Sequence, residues 1–238
     1  RFLQGMLSND VAKLEIGAFC RATLLSVKGR VLAVVDALRE DAAFLLLMEP
    51  TLTDNVLAVL EKHAIMDDVA FAKVDVPVHR VWDSPVSVWT APPVLSQREG
   101  ASAEAIEVRR IEAGLPKYGV DVSEDNFPFE VPGLVAHAIS YQKGCYIGQE
   151  VVARADARGS ATKRLCGISL AEGCPPPPVG TVGASAARDD AGQVTSSVLS
   201  PDFGIIALAY VHKSSWAPGT EVRLGEQRGV ITELPFGS

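Results

Sequence analysis

Cysteine is scarce and unpatterned in this 238-residue chain, with only Cys20, Cys145, Cys166 and Cys174. No two are spaced C-x-x-C and none has a paired histidine beside it, so no zinc or cluster site and no other metal site is expected. The four histidines, His63, His79, His137 and His212, are scattered and read as surface or satisfied core residues. No apolar stretch reaches about 18 residues, which excludes a membrane-spanning helix. Without a recognisable signal peptide the expected compartment is the reducing cytoplasm, and disulfides are not expected. Positive charge is also in deficit: the net charge is −7, which argues against a direct nucleic-acid surface. G-x-G-x-x-G, G-x-x-x-x-G-K-[ST], H-E-x-x-H and G-x-S-x-G are all missing, which removes dinucleotide, P-loop, zincin and nucleophile-elbow readings.

Against that background, Lys143-Gly144-Cys145-Tyr146-Ile147-Gly148-Gln149-Glu150 is the most informative run. A thiol there is flanked by flexible backbone, a cation and the start of a predicted helix running on through Val151-Val152-Ala153-Arg154. The thiolate is the reactive form, and a cation or a helix N-terminus favours it. Cys145 is therefore a candidate functional thiol with Lys143 as its partner; the competing reading is a small buried residue in a Gly-turn. The segment from Tyr141 to Cys166 carries a local net charge of +3, from Lys143, Arg154, Arg158, Lys163 and Arg164 against Glu150 and Asp156. Such a concentration in an acidic chain suits an anionic ligand.

Along the chain, 18–27 and 30–36 read as two strands about a Val27-Lys28-Gly29 turn, and 43–48 as a third. A helix is predicted from Thr51 to His63, with Thr53 or Asp54 as cap. Residues 71–76 alternate as a strand, and 78–81 and 86–90 continue in that vein. After Arg164 the texture changes to short strands separated by proline and glycine, including the stiff Pro175-Pro176-Pro177-Pro178 connector, which predicts a small β-barrel. The predicted class is α+β, with a large domain over 1–165 and a β-barrel domain over 166–238.

The octet resembles the K-G-C-Y-x-G-Q-E signature of the YgfZ-like folate-binding proteins, relatives of the glycine-cleavage T protein (GcvT, aminomethyltransferase). Three further blocks are similar to that family: Phe2-Leu3-Gln4-Gly5-Met6-Leu7-Ser8-Asn9-Asp10-Val11, Lys28-Gly29-Arg30-Val31-Leu32, and Arg110 to Asp121 followed by Phe127-Pro128-Phe129-Glu130. The four blocks occur in family order across most of 1–165, and the chain opens at Arg1, already inside the first block; any targeting signal upstream would lie outside the sequence.

The resemblance implies a GcvT-like folate-binding fold, tetrahydrofolate or another reduced folate as cofactor, and iron–sulfur proteins or their assembly factors as partners. It also implies a role in iron–sulfur cluster assembly or repair, with tRNA modification affected indirectly. Glu130 matches a family glutamate that contacts the pterin; a carboxylate can accept two adjacent N–H donors from that ring edge. Tyr118 is placed to stack on the ligand or to pack; Asn9 and Asp10 to line its cavity or to cap Val11 onward. Arg154, on the helix after the cysteine loop, is a candidate contact for a carboxylate. One departure stands out: Ala33 and Val34 occupy the place where aminomethyltransferases keep an aspartate, and Asp36 follows too late. True glycine-cleavage aminomethyl transfer is therefore not expected, although a folate-dependent transferase or demethylase is the alternative reading. Trp82, Trp89 and Trp216 are expected to be core or rim residues.

Overall fold

A computed structural model describes residues 1–81, 87–95, 100–171 and 173–238, the side chain of residue 88 excepted. The expected residues Trp82 and Val86 lie outside the described residues.

The N-terminal half is built on a three-stranded antiparallel sheet of β1 (Phe19–Leu25), β2 (Val31–Arg39) and β3 (Phe44–Leu47), with β2 central. The β1–β2 turn depends on Gly29, whose φ is 74°, a left-handed value that glycine adopts without steric cost. On β2 the side chains alternate as a pleat requires. Ala33, Val35 and Ala37 join Met6, Leu24, Val56 and Leu60 in one core cluster, under the first helix α1 (Phe2–Met6) and the next helix α2 (Thr53–His63). The other face carries Val34 and Asp36.

Helix α2 begins two residues later than predicted, because Pro50–Leu52 forms a preceding 3-10 turn. Leu52 is its N-cap and no side chain caps it, so neither Thr53 nor Asp54 has that role; Asp54 instead lies in the first turn, where its charge favours the helix dipole. The alternating segment 71–76 is not a strand, since it has no ladder partner among the described residues. Residues 78–81 reduce to the two-residue β4 (Val78–His79), paired with β5 (Val94–Leu95), and Ser87–Trp89 is a 3-10 turn where a strand was predicted. Alternation predicts a pleated surface, and hydrogen bonding to a neighbour decides whether it becomes a sheet.

Three helices complete this half: α3 (Ala103–Glu112), capped by the Ser102 hydroxyl, α4 (Pro132–Ala138) and α5 (Gln149–Ala157). The last is the helix expected after the cysteine loop.

The chain then forms a closed six-stranded antiparallel barrel from β6 (Lys163–Leu170), β7 (Val182–Ser185), β8 (Arg188–Ser200), β9 (Gly204–His212), β10 (Glu221–Leu224) and β11 (Gln227–Thr232). Its first strand starts at Lys163. Strand β7, flanked by Gly180 and a serine turn, is the one the sequence pattern does not reveal. The barrel has its own core of Ile168, Val194, Ala207, Val211, Val222 and Ile231, with Trp216 packed at its edge.

Barrel and large domain are joined by a buried polar network rooted in the third sequence block. Arg110 donates to Asp121 at 2.6 Å and to the Ser196 hydroxyl at 2.8 Å. Asp121 also accepts from Thr195 and Ser196 at 2.5 and 2.8 Å, and fully buried Glu112 accepts from Ser200 at 2.7 Å. Buried charges of this kind persist only when paired and hydrogen-bonded. Most charges of the R-I-E-x-G…D block are thus structural, holding α3 against β8.

Candidate functional site

The octet loop is locked to both other N-terminal blocks. Gly148 has φ 81°, and a Cβ there would meet the Ser26 carbonyl oxygen at 2.6 Å and Gly29 Cα at 3.1 Å. The two glycine turns interlock at van der Waals distance, so a larger residue at 148 is excluded on both conformational and steric grounds. Gly144 meets nothing within 4 Å.

Lys143 is buried, and its Nζ donates to three backbone carbonyls of the first block: Gln4 at 2.6 Å, Leu7 at 2.5 Å and Asn9 at 3.0 Å. It also lies over the Tyr146 ring, 5.0 Å from the centroid. Burial pushes its pKa down to about 8, partly opposed by Asp10. At neutral pH it remains an ammonium, matched by three carbonyl oxygens in and just after α1. The sequence pairs Lys143 with the thiol; the structure gives its ammonium to the backbone of the first block. Ile147 N–H donates to Gly5 at 3.1 Å, completing the attachment.

Cys145 projects from this anchored loop and is exposed, as is Cys174. The other two thiols are shielded: burial, then the charge of Asp36, pushes Cys20 up to about 11, and burial raises Cys166.

Asn9 ties strands to helix. Its Nδ2 donates to the Arg21 carbonyl at 2.8 Å and the His137 carbonyl at 3.2 Å. Asp10 accepts from Gln4 at 2.9 Å and pairs with Lys13 at 2.9 Å, without capping the turn that follows. Arg154 is exposed and paired with Glu150 at 2.8 Å one helical turn away. With Arg158 and Ser160 it borders a small recess of about 230 Å³, separate from the large cavity.

That large cavity has a volume of about 1040 Å³ and is lined by β3, α2, the 68–76 segment, Val34 and Asp36 of β2, Arg21 of β1, Arg80, and Leu115-Pro116 with Tyr118. Its size is at the upper end of small-molecule sites. Tyr118 donates weakly to the Val31 carbonyl at 3.4 Å. The N–H of that same residue bonds the Asn126 carbonyl at 3.0 Å, and Asn126 Nδ2 donates to Glu130 Oε2 at 3.0 Å. Glu130 is buried near the β2 start, linked to Val31 through Asn126, and is not among the residues that line the cavity. Its Oε2 also accepts from Phe127 N at 3.3 Å. Near it, the Tyr210 hydroxyl is buried without a partner, its pKa raised by burial and then by Glu130 and Asp121.

Of the sequence-predicted residues, the structure brings Lys143, Asn9, Asp10 and Cys145 together around the α1 end, and links Tyr118 and, through Asn126, Glu130 to the backbone of Val31. Arg154 belongs to neither group. Sequence reasoning missed Arg21, Asp36 and Arg80 as a set. Arg21 lies directly opposite Asp36 in the β1–β2 ladder; its Nε and Nη2 donate to the carboxylate at 2.9 and 3.3 Å, and Arg80 donates to the same group. The pleat offered a signal for Asp36: two residues beyond Val34, it must share Val34's face.

The arrangement defines a class. The chain has the GcvT-like fold, a mixed α/β unit with a C-terminal six-stranded barrel, and residues 163–235 match the glycine cleavage T-protein C-terminal barrel domain. The solved glycine cleavage system aminomethyltransferase T from Bartonella henselae superposes with a TM-score of 0.79 at 20% identity, covering 99% of this chain and 80% of that one. At the sequence level the chain is similar to an uncharacterized protein of Haemophilus influenzae, 30% identical over 69% of this chain and 64% of that protein. It is also similar to the mitochondrial iron-sulfur cluster assembly factor IBA57 homolog of Mycosarcoma maydis, 25% identical over 74% of this chain and 54% of that protein. An aminomethyltransferase of Streptomyces avermitilis is 34% identical over 53% of this chain and 36% of its own length. These findings identify residues 163–235 as a T-protein barrel domain and give the chain as a whole the T-protein fold. The chain spans less than two thirds of the length of these curated relatives. Among the described residues no helix is long and apolar enough to cross a membrane.

Proposed function

We propose that this chain binds a reduced folate, tetrahydrofolate or a close form, and supports iron–sulfur cluster assembly or repair in a reducing compartment such as the cytoplasm. Cys145 is the functional thiol, and tRNA modification is affected indirectly, through iron–sulfur enzymes. The observation that carries the reading is a cavity of about 1040 Å³ with an aromatic wall, Tyr118, and the charged side chains of Arg21, Asp36 and Arg80 in its lining, Tyr118 being linked through Val31 and Asn126 to the buried Glu130. The cavity has the volume and the mixed aromatic and charged lining that a heteroaromatic ligand with a charged tail requires. Glu130, outside that lining but linked to it through Asn126 and Val31, would accept from a pterin edge that reaches past Tyr118. The likeness to an iron-sulfur cluster assembly factor supports the cluster role.

The loop geometry supports the thiol. Lys143 and Gly148 fix the loop from below, while Cys145 stands in the open beside an unencumbered Gly144, where a partner iron–sulfur protein or assembly factor could reach it. Cys20 and Cys166, shielded and held protonated, are poor nucleophiles. Aminomethyl transfer is the weaker reading: Ala33 is buried in the core, Val34 faces the cavity, and the carboxylate on that face, Asp36, is already held by two guanidinium groups.

The test is limiting alkylation mapped by mass spectrometry, with complementation by Cys145→Ser in cells lacking the protein. Cys145 should label well before Cys20 and Cys166, and the serine variant should fail to restore iron–sulfur enzyme activity while folding normally. Full restoration would remove the thiol from the function and leave a binding role alone.

A further inference from the structure

The Arg21–Asp36–Arg80 set has one cation too many. Asp36 is the salt-bridge partner of both arginines, and neither has a second carboxylate among the described residues. Arg21 is only 6% exposed, and its Nη1 is closed off without a hydrogen-bond partner. Its guanidinium also lies over Trp89, 5.3 Å from the ring centroid. Arg80 is fixed from the other side, donating from Nη1 to the Ala91 carbonyl at 2.7 Å and lying over Phe19 at 5.7 Å. All three charged residues line the large cavity.

A guanidinium has five N–H donors in a fixed fork. Asp36 uses part of each fork and leaves donors on both. An uncompensated cation in a low-dielectric wall is unfavourable unless an anion completes the pairing. The Arg21–Asp36–Arg80 corner of the wall thus carries one positive charge in excess.

We propose that Arg21 and Arg80, oriented by Asp36, form an anion subsite in the cavity wall that receives a carboxylate of the bound ligand. Resting on the folate reading, this assigns the glutamate end of the molecule to that wall. The subsite would favour ligands ending in a carboxylate over neutral analogues of the same ring system.

The experiment compares calorimetric affinities for tetrahydrofolate and for tetrahydropteroate, which lacks the glutamate, under anaerobic conditions. The wild-type chain should prefer tetrahydrofolate by about 10-fold or more, as expected for loss of charge-assisted hydrogen bonds. In Arg80→Met the preference should fall below about 3-fold, and Arg80→Lys, which keeps charge but loses the fork, should lie between. Arg80→Gln substitutes should Arg80→Met fail to fold. Equal wild-type affinities, or an unchanged preference in Arg80→Met, would overturn the subsite while leaving folate binding intact. Should neither compound bind, the folate reading falls, and glutarate followed by tryptophan fluorescence decides the subsite. A saturable response lost in Arg80→Met supports it; no saturable wild-type response overturns it.

Discussion

At the residue scale, the two glycines of the octet illustrate how similar letters carry different constraints. Gly148 has a left-handed backbone and no room for a Cβ, whereas Gly144 has ordinary geometry and open space. Gly148→Ala should therefore lower stability by about 2–4 kcal/mol, combining backbone strain with overpacking. Gly144→Ala should stay within about 0.5 kcal/mol, as surface changes do. Urea denaturation of both variants measures the contrast. The sequence pattern flagged both glycines equally, because the cause lies in the Ser26–Gly29 turn more than a hundred residues away. The surroundings of Asp36 are hidden from the sequence for a related reason: the pleat puts it on the same face as Val34, one repeat further along the strand, where Arg21 and Arg80 meet it.

Lys143 adds a pH signature. Its pKa falls from 10.5 to about 8 on folding, chiefly through burial. Between those values the unfolded chain holds more protons than the folded one, so the lysine's contribution to stability rises with pH across that window. Cys20, shifted from 9.0 to about 11, acts in the opposite direction: the unfolded chain loses its proton first, and stability falls between those values. The difference between wild type and Lys143→Met isolates the lysine. Denaturation from pH 7 to 10.5 should show a stability rise in wild type relative to the variant above pH 8; parallel curves would contradict it.

At the element scale, secondary structure was legible wherever pattern and partner agreed. The hairpin of β1 and β2, helix α5 and the barrel strands β6, β8, β9, β10 and β11 follow from β-branched runs, turn residues and helix start signals. The failures lie in segments whose alternation found no partner, as in 71–76, and in β7, whose four residues depend on β8 and β10 for ladders on both sides. Helix α3 was read only as a motif. Its structure shows that Arg110 and Glu112 face the barrel, while Tyr118, from the turn that follows, faces the cavity. That division predicts separable defects. Asp121→Ala, which leaves Arg110 with Glu107 as its carboxylate but removes the acceptor of Thr195 and Ser196, should cost about 1–3 kcal/mol of stability. Differential scanning calorimetry should show the loss, and the folded fraction should keep its ligand affinity.

At the scale of the whole molecule, the α+β class with a terminal barrel was readable from the sequence, because the proline run and the short-strand texture mark the change in architecture. The site was legible only in part. Motifs bring a reader to Tyr118, Glu130, Lys143 and Cys145, yet only the fold shows that Lys143 braces α1, that Arg154 points away, and that Arg21 and Arg80 crowd one aspartate. Three sequence blocks converge on one mechanical unit, in which the first block and the glycine hairpin hold the cysteine loop over the body of the large domain. The cavity opens elsewhere on the same sheet. Cavity and exposed thiol are thus built on shared strands but distinct side chains.

That separation is what a single titration tests most directly. Purified protein is titrated anaerobically with tetrahydrofolate, in wild type, Cys145→Ala and Glu130→Gln. The account predicts saturable one-to-one binding in wild type, unchanged affinity in Cys145→Ala, and a loss of about 1–3 kcal/mol in Glu130→Gln, the range for a buried hydrogen bond to a charged group. No saturable binding in wild type, or full affinity in Glu130→Gln together with its loss in Cys145→Ala, would contradict it.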